Sequence, residues 1–133
     1  MGRHEKPISL AGQRVLVVED EFLLADELAE WLQSKGAEVV GPFPDVNASL
    51  SALHERIADW AVLDLNLRGE PTYPIADRLE ALDIPFVFVT GYDSPAVRAS
   101  HAGSPRCQKP LVFRQLLSVF ERQMQDYAPR RRP

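Results

Sequence analysis

Cysteine is nearly missing: Cys107 is the only one in 133 residues. One thiol closes no internal disulfide, which excludes a disulfide-stapled secreted domain and suits a reducing compartment. Long apolar runs are missing too. Pro85–Val89 (PFVFV) is among the longest, far below the roughly 20 residues that span a bilayer. The start, Met1–Lys6, lacks the apolar stretch of a signal peptide. Soluble and cytoplasmic is the expectation. Positive charge is scarce: the net charge is −4, and Arg130, Arg131 and Arg132 hold three of the positives. So acidic a body gives no broad nucleic-acid face. It suits a site built from clustered carboxylates.

Nucleotide-binding signatures are absent: there is no Walker A loop and no Gly-x-Gly-x-x-Gly. Asp93, Ser94 and His101 have the composition of a nucleophilic triad, but no Gly-x-Ser-x-Gly elbow carries the serine. His4, His54 and His101 fall in a tail, on a helix face and in a loop, and are expected to be solvated. Cys107, on a short strand, is expected to be a small buried hydrophobe. Trp31 and Trp60 read as packing residues. With 45% hydrophobic and 26% charged residues, a chain this long can bury roughly two-thirds of its unfolded surface without a staple.

Strands and helices alternate. Arg14–Val18, Glu38–Phe43, Trp60–Leu63 and Phe86–Val89 are short and rich in apolar or β-branched residues, as buried strands are, and Arg106–Gln108 reads as a short fifth strand. Gly41 and Pro42 put the second strand at an edge. Between them lie helical patterns. Leu24, Leu28, Trp31 and Leu32 mark one, stopped at Gly36. Val46, Leu50, Leu53 and Ile57 mark another, capped by Asp45. Ile75, Leu79 and Leu82 mark a third, after a polar loop at 66–72. Ser94–His101 is a weak helical segment. Phe113, Leu116, Leu117, Phe120 and Met124 mark the last helix. Residues 1–12 read as a flexible leader, 13–125 as one domain and 126–133 as a disordered basic tail. Five βα units predict an α/β fold: a five-stranded doubly wound parallel sheet in order 2-1-3-4-5, helices on both faces.

In such a sheet the site lies beyond the carboxyl ends of the strands. Glu19 and Asp20 end the first strand, Asp64 the third, Thr90 the fourth and Lys109 the fifth. Any one of these could simply begin a loop. As a set, they bring three carboxylates, a hydroxyl and an ammonium to one edge. Crowded carboxylates repel, and a hard cation such as Mg²⁺ relieves that repulsion. One carboxylate could then attack a phosphoryl group, with the metal, the lysine and the hydroxyl offsetting charge on its oxygens.

Val17-Val18-Glu19-Asp20-Glu21, Val62-Leu63-Asp64-Leu65, Phe88-Val89-Thr90-Gly91 and Lys109-Pro110, in that order, resemble the receiver domain of bacterial response regulators. The resemblance covers residues 13 to about 125. It implies a flavodoxin-like receiver fold with Asp64 as phosphoacceptor. Glu19, Asp20 and Asp64, with the backbone carbonyl of Asn66, would bind Mg²⁺. Thr90 would bind the phosphoryl group and act as the switch hydroxyl. Lys109 would pair with phosphate, and Lys109-Pro110 would be cis. Pro85-Phe86-Val87-Phe88-Val89-Thr90-Gly91-Tyr92 is similar to the Pro-Phe-x-Phe-Ala-Thr-Gly-Tyr of the mostly single-domain FAT GUY regulators, with Val89 for alanine. Gly41-Pro42 fits that subgroup. Most receivers carry an aromatic residue where this chain has Arg106. Tyr92 is a candidate substitute relay, or a ring over the site mouth.

A stand-alone receiver is the expected function. Asp64 would take a phosphoryl group from a sensor histidine kinase or a histidine phosphotransfer protein. Switching would be read by an unknown protein on the face of Ser94–His101, the fifth strand and the last helix. A role as phosphate shuttle or sink is equally compatible. Neither nucleic acid nor membrane is expected as partner, and homodimerisation stays open. Beyond self-phosphotransfer and autodephosphorylation, no turnover enzyme is expected. The alternatives are a degenerate receiver acting as a phosphorylation-independent interaction domain, and an aspartate-nucleophile phosphatase. Asn66 counts against the second, because such enzymes place an acid there.

Overall fold

The computed structural model describes residues 9–55, 57–91 and 96–131, the last five as backbone. In chain order the elements are β1 (Arg14–Val18), α1 (Phe22–Ser34), β2 (Glu38–Phe43), α2 (Val46–Glu55), β3 (Trp60–Asp64), β4 (Asn66–Leu67) and β5 (Glu70–Pro71). There follow α3 (Tyr73–Ala81), β6 (Phe86–Thr90), a 3₁₀ turn (Ala99–His101), β7 (Arg106–Gln108) and α4 (Phe113–Arg131). Five strands form one parallel sheet in the order β2-β1-β3-β6-β7. The numbers skipped, β4 and β5, belong to a small antiparallel hairpin. Among the described residues, no helix is long and apolar enough to cross a membrane.

Side chains on a strand alternate between its two faces, and the core divides accordingly. Val15, Val17, Trp60, Val62, Val87 and Val89 join Leu28 and Leu32 of α1 and Leu116 and Phe120 of α4. Leu16, Val18, Ala61, Leu63, Phe86 and Phe88 join Val46 and Leu53 of α2 and Ile75 and Leu79 of α3. Each large side chain so buried contributes roughly 1.5–3 kcal/mol. One polar bridge crosses this packing: Trp60 Nε1 donates to Gln123 Oε1 (2.8 Å), and Gln123 Nε2 donates to the Phe86 carbonyl (2.7 Å).

Several expectations need correction. Leu10, assigned to the leader, is fully buried; its N–H donates to Lys35 O and its carbonyl accepts from Gln13 N–H. Helix α2 stops at Glu55, leaving Ile57 outside it and exposed. At the entry to β3, Asp59 N–H donates to Arg14 O (2.7 Å). The supposed polar loop at 66–72 holds the hairpin. Arg68 (φ 52°) and Gly69 (φ 92°) turn it, the geometry a two-residue hairpin favours, and Leu67 is buried. Of the weak helix at Ser94–His101, the described part holds only the 3₁₀ turn. His101, expected in solvent, is 2% exposed and lies among Tyr73, Phe86 and Phe88. The last helix runs past residue 125, to Arg131. Cys107 is buried, as expected, and burial pushes its thiol pKa up.

Candidate functional site

The carboxyl end of β1 is shaped by its edge neighbour. Pairing shifts between Leu16 and Val18, so that Val18 aligns with Phe43, and Glu19 N–H donates to Phe43 O (3.0 Å). Gly41 allows this bulge: its φ is +108°, and a Cβ there would sit 2.8 Å from the Val17 carbonyl. Gly41-Pro42 and Lys109-Pro110 are both cis. Glu19 is 4% exposed, and Asp20 is more open beside it.

Asp64 ends β3 and is 5% exposed. Its Oδ1 accepts the Asn66 N–H (3.0 Å). Its Oδ2 accepts from Lys109 Nζ (3.0 Å), which also donates to Glu19 Oε2 (3.2 Å) and to Glu21 Oε1. Lys109 is set in place by its own N–H, which donates to Thr90 O (2.7 Å). One ammonium thus ties together the ends of β1, β3 and β7. Glu19, Asp20 and Asp64 each offer an oxygen within 4.8 Å of the others.

This crowding has an electrostatic signature. Burial first, and the Asp64 carboxylate next, raise the Glu19 pKa from 4.5 to about 8; the Glu21 N–H and Lys109 only partly oppose them. For Lys109, burial acts downward, but the carboxylates of Glu21, Asp64 and Glu19 outweigh it and hold the ammonium above its ordinary pKa. An all-oxygen, anionic donor set with more negative than positive charge fits a hard divalent cation.

The structure therefore brings Glu19, Asp20, Asp64 and Lys109 together. Thr90 stands at the end of β6, one residue beyond Val89, the partner of Asp64 across the sheet. Asn66 lies beside Asp64, its side-chain Oδ1 buried without a partner among the described residues. Tyr92 falls outside the described residues. Arg106 is exposed, and its guanidinium donates to the Ala102 carbonyl (2.7 Å). Three contributors escape sequence reading. Glu21 shares Lys109, and its place in the Glu19–Glu21 acidic run was the available signal. Arg68 Nε lies 3.6 Å from Asp20 Oδ2, and a hairpin turn places it there. Thr72, fully buried, donates its hydroxyl to the carbonyls of Asp64 (2.7 Å) and Leu65 (3.2 Å). A threonine just before Tyr73-Pro74 reads as a helix cap, and nothing in that reading points its hydroxyl toward the strand end. Beside the acids opens a cleft of about 340 Å³ lined by Glu19, Asp20, Phe22, Asp26, Pro42 and Arg68 among others.

Comparison with known proteins gives the family. The response regulator receiver domain family matches residues 15–120. The sensory transduction protein LytT of Bacillus subtilis is 35% identical over 89 residues, which is 65% of this chain and 37% of LytT. The chain thus spans little more than a third of the length of that curated relative. The solution structure of SdrG from Sphingomonas melonis Fr1 superposes with a TM-score of 0.74 at 34% identity, covering 82% of this chain and 93% of that one. The BeF₃-activated conformation of SdrG, from Pseudomonas melonis Fr1, gives 0.69 at 35% identity over 84% and 95%. With the family match spanning most of its length and the acidic strand ends in place, this chain belongs to the response regulator receiver domain family.

Proposed function

We propose that the chain is a phosphoacceptor of a two-component system, with Asp64 as the nucleophile. One observation carries this reading: Asp64, buried at a strand end, has Lys109 Nζ 3.0 Å from its Oδ2 and the carboxylates of Glu19 and Asp20 close by. A carboxylate oxygen of Asp64 attacks phosphorus as the phosphorus–nitrogen bond of a donor phosphohistidine breaks; the imidazole leaves and an acyl phosphate forms. Lys109 then turns from the carboxylates to the phosphoryl oxygens, and the Thr90 hydroxyl donates to one of them. Glu19, Asp20, Asp64 and the Asn66 carbonyl would hold Mg²⁺. That ion supplies charge neutralisation for the transferring group.

Phosphorylation shifts an equilibrium between conformers. The donor is a sensor histidine kinase or a histidine phosphotransfer protein. The readout lies on the 96–104 segment, β7 and α4, where a downstream protein or a second copy docks. Phe86–Gly91 supports placement with the single-domain FAT GUY regulators, acting in the cytoplasm without external turnover.

The test is a titration with beryllofluoride and Mg²⁺ followed by ¹⁵N NMR. Saturable shifts at Asp64, Thr90, Lys109 and residues 96–104, absent in Asp64→Asn, are expected. A spectrum unchanged by beryllofluoride contradicts the reading and favours a phosphorylation-independent interaction domain.

A further inference from the structure

A second cluster of ligating groups lies away from the strand ends. His101 is 2% exposed. Its ring stacks on Tyr73 (5.4 Å between centroids) and meets Phe86 and Phe88 edge-on. Nε2 lies 2.8 Å from Asp77 Oδ1. Asp77 and Glu80 are three apart on α3, so they share one face of the helix. Among the described residues Nδ1 has no hydrogen-bond partner, although it is buried, and it lies 3.6 Å from Glu80 Oε2.

In the neutral ring with Nε2–H donating to Asp77, Nδ1 carries a lone pair. Two electron-rich atoms, Nδ1 and a carboxylate oxygen, then face each other across 3.6 Å. A cation between them removes the repulsion. Zinc–nitrogen and zinc–oxygen bonds of about 2.0–2.2 Å would bridge that gap at an angle of ~120°, close to tetrahedral. A carboxylate on the far ring nitrogen is the usual outer partner of a metal-bound histidine. A polar cavity of about 280 Å³, lined by Glu80, His101, Ser100 and Ser104 among others, leaves room for water or hydroxyl to complete the ligand set.

We propose that His101 Nδ1 and Glu80, with Asp77 orienting the imidazole, form a site for a borderline divalent metal of the zinc type. This site is separate from the acidic site at Asp64, which offers only oxygen. A bound metal would clamp the 3₁₀ turn onto α3, and so fix part of the segment between Thr90 and Arg106.

The test is Zn²⁺ titration of tag-free protein by calorimetry and native mass spectrometry, in millimolar Mg²⁺ to occupy the oxygen site. One Zn²⁺ per chain is expected, with affinity falling at least tenfold in Glu80→Gln. Glu80 is about half exposed, so that variant keeps the fold. Asp77→Asn should weaken binding less, and Asp64→Asn not at all. Zinc binding that is absent, or indifferent to Glu80→Gln, overturns the proposal. So does a ¹⁵N spectrum of metal-free protein and of protein with Zn²⁺ in which both His101 nitrogens stay protonated, because a proton then fills the gap.

Discussion

Lys109 Nζ sits 3.0 Å from Asp64 Oδ2, and the same ammonium reaches Glu19 and Glu21. Lys109 bridges a cluster that would otherwise be three close carboxylates. Removing one partner of a buried charge pair costs about 3–5 kcal/mol. Lys109 keeps some exposure, so Lys109→Met should lose about 3 kcal/mol in urea denaturation at pH 7 without divalent cations. Millimolar Mg²⁺ should restore part of that loss. A variant as stable as the parent without Mg²⁺ would show that Lys109 is not the countercharge.

Glu19 makes stability depend on pH. Its folded pKa is raised from 4.5 to about 8, so between these values the folded state binds more protons than the unfolded one. Stability therefore falls as pH rises from about 4.5 to 8 and levels off above. At about 1.4 kcal/mol per pKa unit the total is at most about 5 kcal/mol. Urea denaturation at pH 5, 6, 7 and 8 without divalent cations should show this slope, and Glu19→Gln should flatten it. An equal slope in the variant assigns the pH dependence to another group.

Thr72 holds the hairpin root by donating to the Asp64 and Leu65 carbonyls. Thr72→Val leaves those buried acceptors short of a donor and should cost about 1–2 kcal/mol. Thr72→Ser should cost less. Amide exchange at Leu65 and Leu67 should quicken in the valine variant. Unchanged exchange there would place the loss elsewhere.

Gln123 is the buried link between Trp60 and Phe86 O. Gln123→Met should cost about 2 kcal/mol, because an indole N–H and a carbonyl both lose their partner. The Trp60 emission should shift to the blue as the indole loses its acceptor. No change in either stability or emission would rule out this bridge as a stabilising contact.

The strands and the strand-end residues were legible because their signals are local. Apolar runs of four or five residues that end in Glu19-Asp20, Asp64 and Thr90, and the short strand Arg106–Gln108 before Lys109-Pro110, need only the parallel-sheet rule to bring those residues to one edge. What the sequence hid depends on distant contacts. Leu10 belongs to a leader without periodicity, and its place against α1 and β1 buries it. His101 follows no periodicity; the rings of Tyr73, Phe86 and Phe88 take it in from two other elements. The hairpin at 66–71 is hidden because Arg68 gives no hint of a positive φ. Thr72, Arg68 and Glu21 act through side chains that reach across the site, a direction that composition and spacing do not encode.

Phosphate on Asp64 is the central claim, and intact-protein mass after incubation with acetyl phosphate tests it most directly. The predicted result is one added phosphoryl group that requires Mg²⁺ and is absent in Asp64→Asn. Addition that persists in Asp64→Asn, or that ignores Mg²⁺, would contradict the account.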